Sequence, residues 1–288
     1  MDFPFTKPQA MRRLAADHGG KTGGRQEDTT GAQSLRRGLQ VMKLLAGGPL
    51  KGMRPVDIAS ELNLSYPTAY RILRALETEG MVQRVHGSRR FISGAEAAWI
   101  GLSASQRYPI ASAAAPILNH ISREHGETVL LSVKSGDHSV CVSHRAGSHL
   151  RQVTAAIVGK RMPMTVSPTG RTMLAFMPDA DCMRMMAANR PVAGSDMDLA
   201  GIRARGYLRC DGITVRDTEV LAVPIFDAGG MPIAAIGTVS TSSRMADKRV
   251  PALLRSMQAA ARTIADELLA RYAAENRGAA DIRHGVRM

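Results

Sequence analysis

Ser65-Tyr66-Pro67-Thr68-Ala69-Tyr70-Arg71-Ile72-Leu73-Arg74-Ala75-Leu76-Glu77-Thr78-Glu79-Gly80 is the stretch on which the reading of the fold turns. Ser65 is placed to cap a helix, Pro67 is tolerated in its first turn, and Gly80 fits the left-handed residue just past its end. At roughly 100° per residue, Ala69, Ile72, Leu73 and Leu76 share one face and predict a core side. Tyr66, Pro67, Tyr70, Arg71, Arg74 and Thr78 gather on the opposite face. A helix that enters the major groove of DNA needs this division. One face anchors it, and the other offers arginine forks for guanine and tyrosine rings for thymine methyls or phosphate.

The flanking sequence extends the pattern. Upstream, Ser34 is placed to cap a helix with Leu35, Leu39, Met42, Leu44 and Leu45 at helical spacing, stopped by Gly47-Gly48-Pro49. A short helix from about Pro55 to Leu62 turns Val56, Ile58, Ala59 and Leu62 inward, and Asn63 suits the tight turn that follows. Downstream, Met81 to Ser93 reads as a hairpin about His86-Gly87-Ser88-Arg89. Three helices and a hairpin, with a short turn between the second and third helices, make a winged helix-turn-helix over residues 31–94.

The candidate DNA contacts are Ser65, Tyr66, Thr68, Tyr70, Arg71 and Arg74 on the third helix. Arg84, Ser88, Arg89 and Arg90 join them from the hairpin, and Arg36 and Arg37 from the first helix. The plainer alternative is a solvated basic face. Four elements in the right order favour contact with DNA.

Charge points the same way. The chain of 288 residues has a formal net charge of +13, and its sequence pI is about 10.4. Residues 31–94 alone carry ten Lys/Arg against four Asp/Glu. Such a balance favours polyanionic partners. Hydrophobic residues at 44% supply enough apolar material for two ordinary domains. Cys141, Cys182 and Cys210 are odd in number and widely spaced, which suits a reducing compartment rather than a disulfide framework. No apolar run approaches the ~20 residues of a membrane span, and no signal peptide is visible, so a cytoplasmic location without membrane attachment is expected.

Beyond the hairpin, residues 95–109, with Trp99, Ile100 and Leu102, read as a linker helix. Residues 1–30 and 276–288 read as tails. Residues 110–275 read as an α+β domain, an antiparallel sheet with helices packed on it. Its predicted strands are 128–134, 139–144, one near 150–155, 208–214, 219–225 and 231–241. Its predicted helices are 110–125, 168–177, 179–189, 197–206 and 247–275. The last helix carries a stripe of Val250, Leu253, Leu254, Met257, Ala261, Ile264 and Leu268. That stripe serves either a subunit interface or packing on the domain's own sheet.

The sequence resembles the IclR family of bacterial regulators over about residues 34–272. The first part of the resemblance is Ser34-Leu35-Arg36-Arg37-Gly38-Leu39-Gln40-Val41-Met42, Asp57-Ile58-Ala59-Ser60-Glu61-Leu62, and Thr68-Ala69-Tyr70-Arg71-Ile72-Leu73 leading to Glu79-Gly80. The more specific part is Gly159-Lys160-Arg161-Met162-Pro163-Met164 followed by Ser167-Pro168-Thr169-Gly170-Arg171-Thr172-Met173-Leu174-Ala175. Arg205-Gly206-Tyr207 and Val220-Leu221-Ala222-Val223-Pro224-Ile225-Phe226-Asp227 follow at the family's spacing.

The resemblance implies a homodimer or homotetramer on a palindromic operator, and a GAF-like domain that binds a small organic, often aromatic, acid. It also implies pocket positions at Pro168, Thr169, Cys210, Val220, Gly237 and Val239. Here the sequence departs from the family. Cys210 stands where an acid is usual, Val220 where cysteine is frequent, and Gly237 and Val239 where serines are usual. The pocket is therefore expected to prefer a larger or more apolar ligand than a two- or three-carbon acid.

No cofactor, metal or catalytic site is expected. Asp137, His138, Cys141, His144 and His149 lie close in sequence, but strand alternation should send Cys141 to the face opposite His138 and His144. Their spacing matches no common zinc pattern. No Gly-x-Ser-x-Gly or phosphate-binding loop is present. An enzyme with a DNA-binding appendage and a charge-driven RNA or membrane-surface binder are the other readings.

Overall fold

A computed structural model describes residues 30–149, 158–189, 197–212 and 215–285, with side chains in the last helix described as far as Arg271. The chain divides between Arg107 and Tyr108 into two compact units. The linker helix belongs to the first.

The first unit holds α1 (Thr30–Ala46), α2 (Pro55–Glu61), α3 (Tyr66–Thr78), the hairpin strands β1 (Val82–Arg84) and β2 (Phe91–Ser93), and α4 (Ala95–Ser105). Val41 and Leu45 of α1, Ile58 of α2, Leu73 of α3, Val82 and Phe91 form one buried cluster. Full burial of each such side chain is worth about 1.5–3 kcal/mol. The wing is thus part of the core, because Phe91 is its largest fully buried side chain. Met53 pairs with Phe91 through a single isolated bridge beside the two-stranded hairpin. Gly52 makes this possible: at φ +78°, an added Cβ would stand 2.8 Å from the Phe91 carbonyl oxygen.

Three sequence expectations for this unit change. The first helix begins at Thr30, so Ser34 lies inside it rather than at its cap. Leu35 and Leu39 face solvent, and Val41 takes the buried position. Val56 of α2 is also exposed.

The second unit is a six-stranded antiparallel sheet with helices on both faces. Its elements are α5 (Ile110–His125), β3 (Thr128–Ser135), β4 (His138–Arg145), β5 (Arg161–Pro163), α6 (Pro168–Leu174), α7 (Asp179–Ala188), α8 (Leu199–Arg205), β6 (Leu208–Asp211), β7 (Thr218–Phe226), β8 (Pro232–Thr241) and α9 (Val250–Gly285). The strand order is β5-β4-β3-β8-β7-β6. The strand expected near 150–155 lies outside the described residues. β5, which the sequence reading does not place as a strand, pairs with β4.

On one face, Val129, Leu131, Leu221, Val223, Ile225 and Ile236 meet α5 and α9. The apolar stripe of the last helix is here: Val250, Leu253, Met257, Ala261, Ile264 and Leu268 pack on the sheet of their own chain. The helix runs on to Gly285, into the segment read as a tail. On the other face, Met164, Met173, Leu174, Met177 and Met185 pack against Ala235, while Ala175 and Ile202 pack against Leu208 and Ala222. Just ahead of β3, the buried Glu127 carboxylate accepts two hydrogen bonds of 3.1 Å from Arg244, which follows the adjacent strand β8. Among the described residues no helix is long and apolar enough to cross a membrane.

Candidate DNA-reading face and ligand site

Ser65 starts α3, accepting a hydrogen bond from the Thr68 backbone N–H at 3.4 Å, with its hydroxyl 2.8 Å from that of Thr68. Both residues therefore serve the helix cap. Ala69 and Leu73 are fully buried, and Ile72 and Leu76 pack on the same cluster. Tyr66, Pro67, Tyr70, Arg71, Arg74 and Thr78 are all exposed. The division between faces is the one that the sequence predicts.

The arginines expected to contact DNA are not equivalent. Arg74 Nη1 donates to Glu77 Oε2 at 2.7 Å. Arg84 lies 4.0 Å from the other Glu77 oxygen, with its guanidinium 5.1 Å from the centroid of the Phe91 ring. Arg90 donates to the Gly52 carbonyl at 2.9 Å, and its backbone N–H donates to Ser88 Oγ. Ser88 and Arg90 therefore build the wing turn. Arg71 and Arg89 are exposed, as is Arg36, while Arg37 is half-buried.

In the second unit, the register assembles most of the expected pocket positions on the face that carries α6. Cys210 pairs with Val220 across β6 and β7. Val220 pairs with Val239, and Gly237 with Ala222, across β7 and β8. Val220, Val239, Cys210 and Leu130 form one apolar cluster. Thr169, on α6, is buried and its Cγ2 would meet a Cβ on Gly237 at 2.9 Å. Pro168 is half-buried at the start of α6.

The structure adds polar groups that sequence reasoning missed. Ser139 and Ser167 stand 3.1 and 3.0 Å from the Thr169 hydroxyl, making a buried hydroxyl chain. Arg171 is 93% buried on α6 (7% exposed), and its charge works against the burial that raises the Cys210 thiol pKa. Its place in the Ser167–Ala175 motif was the available signal.

A bulge in the register between Leu131 and Ser132 also corrects the strand reading. Cys141 pairs with Ser132 and His144 with Leu130, so Cys141 and His144 share the α6 face, while His138 lies on the other. Burial pushes the Cys141 thiol up to about 11 and lowers the half-buried Lys160 amine beside it. Among the described residues no group of three His, Cys, Asp or Glu side chains is placed to hold a metal ion. A cleft of about 290 Å³ lined by Lys134, Gly136, Asp137, Arg184, Met185 and Ala188 opens elsewhere on this unit. None of the six expected pocket positions lines it.

Comparison with known proteins accounts for both units. Residues 34–86 match the IclR helix-turn-helix domain, and residues 102–266 match the bacterial transcriptional regulator IclR C-terminal family. The chain is 28% identical over 248 residues to the HTH-type transcriptional regulator BhcR of Paracoccus denitrificans, covering 83% of this chain and 88% of that one. It is 29% identical over 231 residues to the transcriptional repressor IclR of Escherichia coli, covering 76% of this chain and 83% of that one. An IclR transcriptional regulator from Alicyclobacillus acidocaldarius shares the fold, with a TM-score of 0.68 and 22% identity over 81% of this chain and 98% of that one. So does an IclR homologue from Microbacterium hydrocarbonoxydans in complex with 4-hydroxybenzoate, with a TM-score of 0.65 and 20% identity over 82% of this chain and 99% of that one. The chain belongs to the IclR family of bacterial transcriptional regulators, DNA-binding proteins with a ligand-binding C-terminal domain.

Proposed function

We propose that the chain is a cytoplasmic regulator that binds a palindromic operator as a dimer or tetramer and releases or grips it in response to a small organic acid. The observation that carries this reading is the division of α3, with Ala69 and Leu73 buried and Tyr66, Tyr70 and Arg71 exposed. Arg71 reads bases, and Arg36, Arg37 and Arg89 meet phosphates.

The linker helix α4 supports self-association. None of its residues is buried, while Trp99, Ile100 and Leu102 are each 58–63% exposed. A second copy would cover this apolar surface, and a dimer would place two recognition helices about one DNA turn apart.

The ligand site lies between α6 and the sheet. Val220, Val239, Leu130 and Cys210 offer an apolar floor, and the Ser139–Thr169–Ser167 chain offers hydroxyls. An aromatic acid suits both, and the relative bound to 4-hydroxybenzoate supports that class. Effector binding shifts the population of dimer geometries, with a coupling of about 1–3 kcal/mol to operator affinity.

Footprinting on the chain's own upstream DNA tests the reading. Two protected half-sites centred about one helical turn apart are expected, with protection altered by an aromatic acid. A single unpaired site, or protection indifferent to aromatic acids and responsive to glyoxylate, would contradict it.

A further inference from the structure

Tyr66 and Tyr70 stand one turn apart on the outer face of α3, with ring centroids 6.0 Å apart and planes 14° from parallel. They are 53% and 37% exposed. Two of the chain's five tyrosines therefore sit as a stacked pair in water, on a surface otherwise set out for charge. Such a pair is already ordered, because each ring has few rotatable bonds and the i,i+4 spacing holds them together. Arg74, one turn beyond Tyr70, is drawn to Glu77 at 2.7 Å. The centre of the reading face is thus aromatic, with Arg71 at its side.

We propose that the Tyr66–Tyr70 stack is a specificity element that selects two thymine methyl groups in the operator half-site. The inference rests on the reading of α3 as the recognition helix. Among the four bases only thymine presents a methyl group on the major-groove edge. A flat ring face packs on a methyl without needing a directed hydrogen bond. The rise between base pairs is about 3.4 Å, so a 6.0 Å ring separation spans about two of them. The two methyls belong within one three-base-pair stretch.

The test uses the full chain and an operator selected by it from random-sequence DNA in excess competitor. Each thymine is replaced in turn by deoxyuridine, which removes the methyl and leaves the pairing edge intact. Two replacements within three base pairs are expected to weaken binding about fourfold each, the equivalent of ~0.8 kcal/mol for one methyl-sized group. In Tyr66→Ala and Tyr70→Ala, the matching penalty should vanish. Tyr66→Phe and Tyr70→Phe should keep it, since the ring makes the contact. These positions are exposed, and unchanged circular dichroism verifies folding.

A selected operator that binds equally well with all its thymines replaced overturns this inference and leaves the regulator reading standing. So does loss of affinity in the Phe variants with the methyl penalty unchanged in the Ala variants, which would assign the tyrosines to phosphate. Failure to select any operator overturns the regulator reading itself and the inference with it.

Discussion

Glu77 holds Arg74: their Oε2 and Nη1 atoms lie 2.7 Å apart on successive turns of α3. The same carboxylate faces Arg84 of the wing at 4.0 Å. One acid thus restrains two of the basic residues that the sequence presents to DNA, and Arg71 is left with the more open approach to a base edge.

Arg71→Ala should therefore weaken operator binding more than Arg74→Ala. The expected loss at Arg71 corresponds to about 1–3 kcal/mol if it forms a bidentate contact with guanine. Glu77→Gln should release Arg74 and Arg84, raise affinity for any DNA, and steepen the salt dependence by about 0.9 per added phosphate contact. Gel-shift titrations at several salt concentrations measure all three.

The contact between Thr169 and Gly237 gives a second prediction. A Cβ on Gly237 would meet Thr169 Cγ2 at 2.9 Å and Leu130 Cδ1 at 3.3 Å. Gly237→Ala should cost about 1–3 kcal/mol by overpacking. Adding Thr169→Ser removes the clashing methyl and keeps the hydroxyl that meets Ser139 and Ser167. The double variant should regain most of the lost stability in urea unfolding. Equal instability of the single and double variants would mean that this contact does not govern the site.

How far the sequence could be read follows from where the information lies. The third helix was legible because its cap, period and stop are all local: Ser65, the Ala69–Leu73 spacing and Gly80. The core face of the first helix departs from expectation only at Leu35 and Leu39, which have the right spacing yet face outward, while Val41 is buried. That choice is made by tertiary packing against Ile58 and Leu73. The shared face of Cys141 and His144 was hidden for a different reason, since one bulge at Leu131/Ser132 reverses strict alternation. The hydroxyl chain joins residues about thirty positions apart, and only the register brings Ser139 to Thr169.

The Glu127–Arg244 pair should be expensive to break. Glu127 is 2% exposed, and Arg244 donates to both of its oxygens. Glu127→Ala takes the buried carboxylate from Arg244 and from Arg249, 3.6 Å away, at a cost of about 3–5 kcal/mol. Urea denaturation at neutral pH measures it. A loss below about 1 kcal/mol would show the pair to be solvated rather than structural.

Alkaline pH should expose the Cys141 thiol. Burial raises its pKa to about 11, so the folded state keeps a proton that the unfolded chain, titrating near ~8.5, releases earlier. The unfolded state then binds fewer protons, and stability must fall as pH rises. The contribution is fully present below the unfolded value and is lost between there and about 11. A Cys141→Ser variant should show a shallower decline over that window. Thiol labelling at pH 8 should leave Cys141 unmodified until the protein unfolds.

Sequence-specific recognition by α3 underlies the proposed regulation. A gel-shift titration of the purified chain against its own upstream DNA, in excess unrelated DNA, tests it most directly. The expected result is a discrete complex that survives the competitor and weakens in Arg71→Ala. A smear that the competitor abolishes, on this and on other candidate operators alike, would contradict it and leave only association driven by charge.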